Sequence, residues 1–337
     1  MITIYDIAKK TGFSAPTISK ALNGTGNLNQ KTRSIIIEEA KKLGYKPNMA
    51  AKALSTKHSQ LIGIILEDTQ LNRGFEHPLF GGMLNIFRRE IESFGYDLLF
   101  LSKNFNGGMS YIDHCKYRNV DGILVVNPTE DDLEIKSLGK HGIPCVSTNE
   151  FIKNVCTVVS ENEEAGFIAC KKFIEAGHTK IGFIGAPFKE NSPASKERYN
   201  GFIKACKKFN INFDEKYLEI SEFWSEQAGF NAAKKLFSRC NDISAVFAVS
   251  DTLAYGVIEY LKTINKKVYD DVSIIGFDDD NMISSNSIIL NTFRQNREQI
   301  AKTACMMLLD KINGKDNPEV VRIPTVYIEK KSVKKLN

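Results

Sequence analysis

The residues whose types and spacing point to chemistry lie near the start of the chain. Ser14, Ala15, Pro16, Thr17, Ser19 and Lys20 share one short segment. Hydroxyls there offer donors and acceptors to base edges, and a lysine offers charge to a phosphate. Nothing elsewhere matches that signal for catalysis. The chain has no Walker sequence, no Gly-x-Ser-x-Gly and no Rossmann glycine fingerprint after a strand. The Asp278-Asp279-Asp280 run resembles a metal site in composition alone. The chemistry on offer is recognition of a duplex rather than bond making.

Two helices and a tight turn must position these side chains. Thr3 and Asp6 form a capping-box variant, with a hydroxyl on the free amides and an acid in the first turn. Ile4, Ile7 and Ala8 make an apolar stripe at helical spacing. Gly12 supplies the left-handed residue that ends the first helix. Ser14 caps the second, and Pro16 falls in its first turn, where a missing N–H does little harm. Ile18 and Leu22 turn inward, which leaves Thr17, Ser19 and Lys20 outward with Ala15 and Pro16 at the tip. Asn29 caps a third helix over about 30–43, whose expected inner face is Ile35, Ile36, Ala40 and Leu43. A short helix with a polar free face and small leading residues suits a major groove.

Pro47 stops that third helix, and Asn48 caps a new one over Met49–Leu54. Helices this short are marginal on their own in water. Composition leaves two readings open: an ordinary polar linker, or a small-faced helix whose Leu54 wedges into a minor groove. Thr56–Gln60 is a polar joint.

The remaining chain behaves differently. Residues 1–60 hold nine Lys and one Arg against one Asp and two Glu, a charge of +7, so residues 61–337 carry −2 of the total +5. A basic head on a near-neutral body fits one nucleic-acid module and one module that binds something else. Seven cysteines lie at 115, 145, 156, 170, 206, 240 and 305, with no Cys-x-x-Cys, and the five histidines form no metal pattern. The expectation is reduced, buried thiols in a cytoplasmic protein with no metal and no cofactor. An N-terminal apolar leader and a span of 18 apolar residues are both lacking, which argues against secretion and membrane insertion.

From Leu61 onward, continuous apolar runs (61–66, 97–101, 122–126, 144–147, 180–184, 245–249, 273–277) alternate with helix-period segments near 80–94, 110–118, 130–141, 162–176, 196–209, 225–238, 252–264 and 296–313. Strand–helix alternation with buried strands predicts parallel α/β layers. Roughly eight such units exceed one comfortable sheet, so two doubly wound subdomains are expected. Each run ends on a polar cluster: Glu67-Asp68, Asn127, Thr148-Asn149, Gly185-Ala186-Pro187, Ser250-Asp251 and Asp278-Asp279-Asp280. Taken singly, each is more often a turn or helix cap than a ligand contact, and Asp251 suits both. Six such ends facing one cleft make the stronger case for a ligand.

The spacing also carries a resemblance. Thr3-Ile4-Tyr5-Asp6-Ile7-Ala8, Ser14-x-x-Thr17-Ile18-Ser19-Lys20-x-Leu22-Asn23-Gly24, Thr32-Arg33 and Leu43-Gly44-Tyr45-x-Pro47-Asn48-x-x-Ala51-x-x-Leu54 resemble the headpiece of the lactose/galactose repressor (LacI/GalR) family. Val120–Leu124, Gly177-His178-x-Lys180–Ile184, Arg198-x-x-Gly201-Phe202, Asp251-x-x-Ala254-x-Gly256 and Asp271–Asp278 are similar to its periplasmic-binding-protein-like body. The resemblance implies a headpiece over 1–47, a hinge helix and linker over 48–60, and an effector-binding and dimerisation domain over 61–337. Its first subdomain would comprise 61–160 and 292–320, and its second 161–291 and 321–337, with crossings near 160, 291 and 322. By the same likeness, Thr3, Ser14, Ala15, Pro16, Thr17, Ser19, Lys20, Asn23, Asn48, Ala51 and Leu54 contact DNA, with Leu54 as the wedge. Asp68, Phe80, Asn149, Ser195, Arg198, Trp224, Asp251 and Asp278 would line the effector cleft. Core packing is a serious alternative for Trp224 and Phe80. Ser160, Asn149 and Asn296 depart from the residues usual in the family, so no particular sugar is carried over.

The function implied is an effector-responsive repressor that binds a palindromic duplex operator as a homodimer, with no catalytic role. A solute-binding protein of the same body fold is the alternative; it requires an export signal and no headpiece.

Overall fold

The computed structural model describes residues 2–46, 58–67, 74–128, 132–280 and 289–336. The chain forms two compact units, Met1–Gln60 and Leu61–Asn337. Asn48, Ala51 and Leu54 of the expected hinge, and Asp68, lie outside the described residues.

In the first unit, helices α1 (Ile4–Thr11), α2 (Ala15–Leu22) and α3 (Gln30–Lys42) close on a core of Ile7, Ile18, Ala21, Ile36 and Ala40. Gly12, at φ 76°, ends α1, and its N–H reaches the Ala8 carbonyl at 2.8 Å. One expectation is corrected here. Ile36 is fully buried, but Ile35 is 44% exposed. Adjacent helical positions diverge by ~100°, so both cannot face the same core.

The second unit contains two parallel sheets. Six strands, β1 (Leu61–Leu66), β2 (Asp97–Phe100), β3 (Gly122–Asn127), β4 (Cys145–Thr148), β5 (Cys156–Ser160) and β11 (Val320–Ile323), form the first, in the order β11-β5-β4-β3-β1-β2. The four-stranded second sheet holds β6 (Ile181–Gly185), β7 (Leu218–Ile220), β8 (Ala245–Ala248) and β9 (Ser273–Ile275), in the order β7-β6-β8-β9. Strand periodicity explains how the first sheet is covered on both faces. Ile62, Ile64, Leu124 and Val126 pack under α4 (Pro78–Ser93) and α11 (Arg297–Ile312). Ile65, Ile123 and Val125 pack with Tyr111, Ile112 and Cys115 of α5 (Tyr111–Arg118) and with Ile135 of α6 (Leu133–Ser137). Around the second sheet, α7 (Asn162–Glu175) packs on α8 (Ala194–Lys208), and α9 (Glu226–Arg239) on α10 (Asp251–Thr263).

A two-stranded antiparallel ribbon, β10 (Thr292–Gln295) with β12 (Thr325–Ile328), completes the unit. The Gly276 N–H donates to the Asn291 carbonyl and the Asp278 N–H to the Phe293 carbonyl, so β10 lies beside the second sheet. The chain therefore passes to the first subdomain after Gln295, later than the boundary read at 291. It returns after Ile323, because Arg322 pairs with Val159 inside the first sheet. The Glu161 N–H donates to the Ile323 carbonyl at 2.8 Å and ties two of these crossings together. Among the described residues, no helix is long and apolar enough to cross a membrane.

Candidate nucleic-acid interface and effector cleft

The headpiece positions its polar residues through caps. The Asp6 carboxylate accepts from both the N–H and the hydroxyl of Thr3 at 2.8 Å. The hydrogen bond from the Thr3 N–H holds the Asp6 pKa below its ordinary value. The Ser14 hydroxyl oxygen accepts from the Thr17 N–H at 3.4 Å and lies 2.8 Å from the Thr17 hydroxyl. Pro16 and Lys20 are exposed at the free face of α2, and Ala15, Thr17 and Ser19 are half-buried. Asn23 donates to the Ser19 hydroxyl at 3.3 Å. Arg33 of α3 reaches across to the carbonyls of Gly24 and Gly26, at 3.4 and 3.3 Å, and fixes the loop that leaves α2. Motif spacing named Arg33 without giving it that duty.

In the body, Arg198 is the centre of the arrangement. Its guanidinium is 3% exposed and lies 3.3 Å above the centre of the Phe277 ring. Nε donates to Asn162 Oδ1 at 3.0 Å, and Nη1 to the Val249 carbonyl at 2.5 Å. Burial lowers its pKa to about 10, against the opposing pull of Asp278, Glu197 and Asp251, so it stays charged at neutral pH.

Two hydrogen-bonded chains run outward from the expected effector residues. Asn162 Nδ2 donates to Glu197 at 3.3 Å, and Glu197 accepts a two-pronged ion pair from Arg322 of β11 at 2.9 and 2.6 Å. On the other side, Asp278 accepts from Gln295 Nε2 at 2.7 Å, and Gln295 Oε1 accepts from the Ser160 hydroxyl at 2.6 Å. Arg198 and Asp278 are thus linked to residues at all three crossings. Asn162, Glu197, Gln295 and Arg322 were not among the residues singled out from sequence.

The other expected residues divide. Asp251 is 2% exposed and accepts from the Thr292 hydroxyl at 2.7 Å and the Asp280 N–H at 2.9 Å. Burial and then the neighbouring Asp278 raise its pKa to about 7, with both hydrogen bonds opposing. It joins α10 to β10. Asp279 is held by Arg294 and Lys330 at 2.8 and 2.9 Å. Burial acts to raise its pKa, but these two cations hold it below the ordinary value. Ser195 is fully buried, and its hydroxyl both accepts from the Ala186 N–H and donates to the Ala186 carbonyl, so it braces the end of β6. Phe80 sits on α4 and faces the core of the first sheet, with its ring centre 4.2 Å from that of His77. Trp224 is half-buried against the core of the second sheet. Asn149 is half-buried after β4, at φ 70°.

A cavity of about 590 Å³ opens at the carboxyl ends of β3, β4 and β6, lined by Pro128, Ile135, Glu150, Phe151, Lys153 and Lys189 among others. The Phe151 N–H donates to the Asn191 carbonyl at 2.7 Å and closes one side of it. Glu150 is 8% exposed, and burial raises its pKa to about 7. Among the described residues, its Oε2 has no hydrogen-bond partner. None of the residues expected to line the cleft lines this cavity.

Comparison with known proteins decides the family. Residues 3–48 match the bacterial regulatory proteins of the lacI family, and residues 170–333 match the periplasmic binding protein-like domain. The HTH-type transcriptional repressor PurR of Proteus mirabilis (strain HI4320) is 28% identical over 99% of this chain and 97% of its own length. The chain is a lacI-family transcriptional regulator. Two solved structures of similar fold cover nearly the whole of this regulator. The lac repressor dimer bound to operator and the anti-inducer ONPF matches with a TM-score of 0.76 at 19% identity, over 99% of both chains. A transcriptional regulator CelR–cellobiose complex matches with a TM-score of 0.70 at 23% identity, over 98% of this regulator and 100% of that chain.

Proposed function

We propose that this regulator is a cytoplasmic homodimeric repressor whose hold on a palindromic operator is set by a small molecule in the cleft between its subdomains. The observation that carries the reading is the pair of hydrogen-bonded chains from Arg198 and Asp278 to the crossings. A ligand that takes the guanidinium or the carboxylate competes with those chains and shifts the angle between subdomains. That angle sets the separation of the two hinges at 48–55 in a dimer, and so the population able to grip DNA. The outward face of α2 reads base edges, and basic residues supply sequence-independent affinity through phosphates. Trp224 offers a flat apolar face to a ring-shaped ligand.

The test begins with selection of a duplex from a randomised pool by the full-length protein. Operator affinity is then measured with and without cellobiose, other sugars, sugar phosphates, nucleosides and purines. A palindromic consensus and an affinity changed tenfold or more by one compound support the reading. Recovery of sequences without two-fold symmetry would overturn the dimeric operator model. A ligand that binds with equal affinity to free and operator-bound protein would overturn the coupling.

A further inference from the structure

Cys170 of α7 and Cys206 of α8 place their sulfur atoms 3.5 Å apart in the interior of the second subdomain. They are 0% and 2% exposed. The contact follows from how the two helices meet. A methyl group built at Gly166 would lie 1.9 Å from the Arg198 carbonyl oxygen, and one at Gly201 would lie 1.7 Å from that of Glu163. The helices therefore touch backbone to backbone, and about one turn further along the two cysteines face each other. Forming a disulfide from this arrangement needs the sulfurs to approach by about 1.5 Å, since the bond is ~2.05 Å long. Either sulfur can donate in this contact; with Cys170 as the donor, the thiolate is favoured at Cys206 and disfavoured at Cys170.

We propose that Cys170 and Cys206 are a dithiol–disulfide site, oxidised by hydrogen peroxide, that ties α7 to α8 along the seam on which Asn162 meets Arg198. The Cys206 thiolate attacks the peroxide, forming an S–O bond as the O–O bond breaks. The hydroxide released takes up the proton lost from Cys206 and becomes water. Cys170 then attacks the sulfenic sulfur, forming the S–S bond and breaking S–O, and the second hydroxide leaves as water with the Cys170 proton. The two thiols together give up two electrons and the peroxide gains two. Asn162, which accepts from Arg198 Nε, is the first residue of α7, so the bond fixes the seam that carries both groups.

The test uses the full-length wild-type protein, treated with hydrogen peroxide, alkylated, digested and mapped by mass spectrometry. The expected product is a peptide joining residues 170 and 206, lighter by two hydrogens and released by reductant. Melting temperature is expected to rise on oxidation and to return on reduction, and neither change should occur in Cys206→Ser or Cys170→Ala. Exhaustive oxidation that yields no such peptide, or that links only other cysteines, overturns the proposal. The mapping needs no variant to fold.

Discussion

Two glycine-to-alanine substitutions should shift stability in opposite directions. Gly201 lies within α8, and a Cβ there would meet Glu163 O at 1.7 Å, Glu163 C at 2.7 Å and Phe167 N at 2.8 Å. All three are backbone atoms of α7, so no side-chain rotation relieves the contact. The helices must part by more than about 1 Å before the closest approach is tolerable. Alanine gains ~1 kcal/mol of helix propensity over glycine. Overpacking of this kind costs about 1–3 kcal/mol, and the stretched Asn162–Arg198 hydrogen bond adds ~1 kcal/mol. The loss wins, by roughly 1–3 kcal/mol. Gly82 lies within α4, and its nearest neighbours are side-chain atoms of Arg297, at 3.0 Å and beyond. A flexible arginine moves aside, so Gly82→Ala should gain up to ~1 kcal/mol. Urea unfolding of each full-length variant, followed by circular dichroism and extrapolated to water, reads both values. A Gly201→Ala protein as stable as the wild type would refute the backbone contact, and a destabilised Gly82→Ala protein would refute the yielding arginine.

Three further outcomes are expected. Asp251 and Glu150 are held near pH 7 in the folded chain against ordinary values of 3.8 and 4.5, so the folded state keeps protons that the unfolded chain has lost. Their stabilisation is fully present below the unfolded values and is lost as pH rises to about 7. Buried His178, lowered from 6.5, opposes them below that pH. Asp251→Asn should remove up to ~1.4 kcal/mol per pH unit of this decline between roughly pH 5 and 7, and an unchanged slope in denaturant titrations would count against the assignment. Arg198→Ala should abolish the ligand response and also destabilise the body by about 3 kcal/mol or more, because Asn162, the Val249 carbonyl and the nearby acids lose their partner. A purely functional loss, with an unchanged unfolding midpoint, would show that the buried guanidinium is not structural. Leu54→Ala should weaken binding to the selected operator by tenfold or more while leaving random duplex nearly unaffected; equal losses in a fluorescence anisotropy titration would remove the wedge.

Much of the fold could be read from periodicity, because strands buried on both faces are written as apolar runs. The strands overlooked were missed for different reasons. β5 is fully buried and rich in Val, but it follows β4 after only a short connection with no helix, which the expected alternation did not allow. β7 has three residues, and β11 carries Arg322 toward solvent. At the site, Arg198 and Asp278 belong to local motifs and could be named. Their partners could not. Ser160 meets Gln295 across 135 positions, and Glu197 meets Arg322 across 125. Such pairs depend on where the chain crosses between sheets, and no local pattern encodes that.

The crossings also constrain how the chain can be synthesised. Headpiece contacts all fall within the first sixty residues, so that unit can close its core as soon as it leaves the ribosome. The first sheet cannot. One of its faces is sealed by Ile300, Ala304, Leu308 and Ile323, and its edge strand β11 arrives only at residues 320–323. The second sheet waits longer still, because the Ser332 hydroxyl donates to the Ile274 carbonyl and the Leu336 N–H to that of Ala176. A nascent chain therefore carries a folded DNA-binding head on an unfinished body until residues 332–336 have been made. A chain cut off before Ser332 would keep the DNA-binding head and lose the last clasps of the second unit.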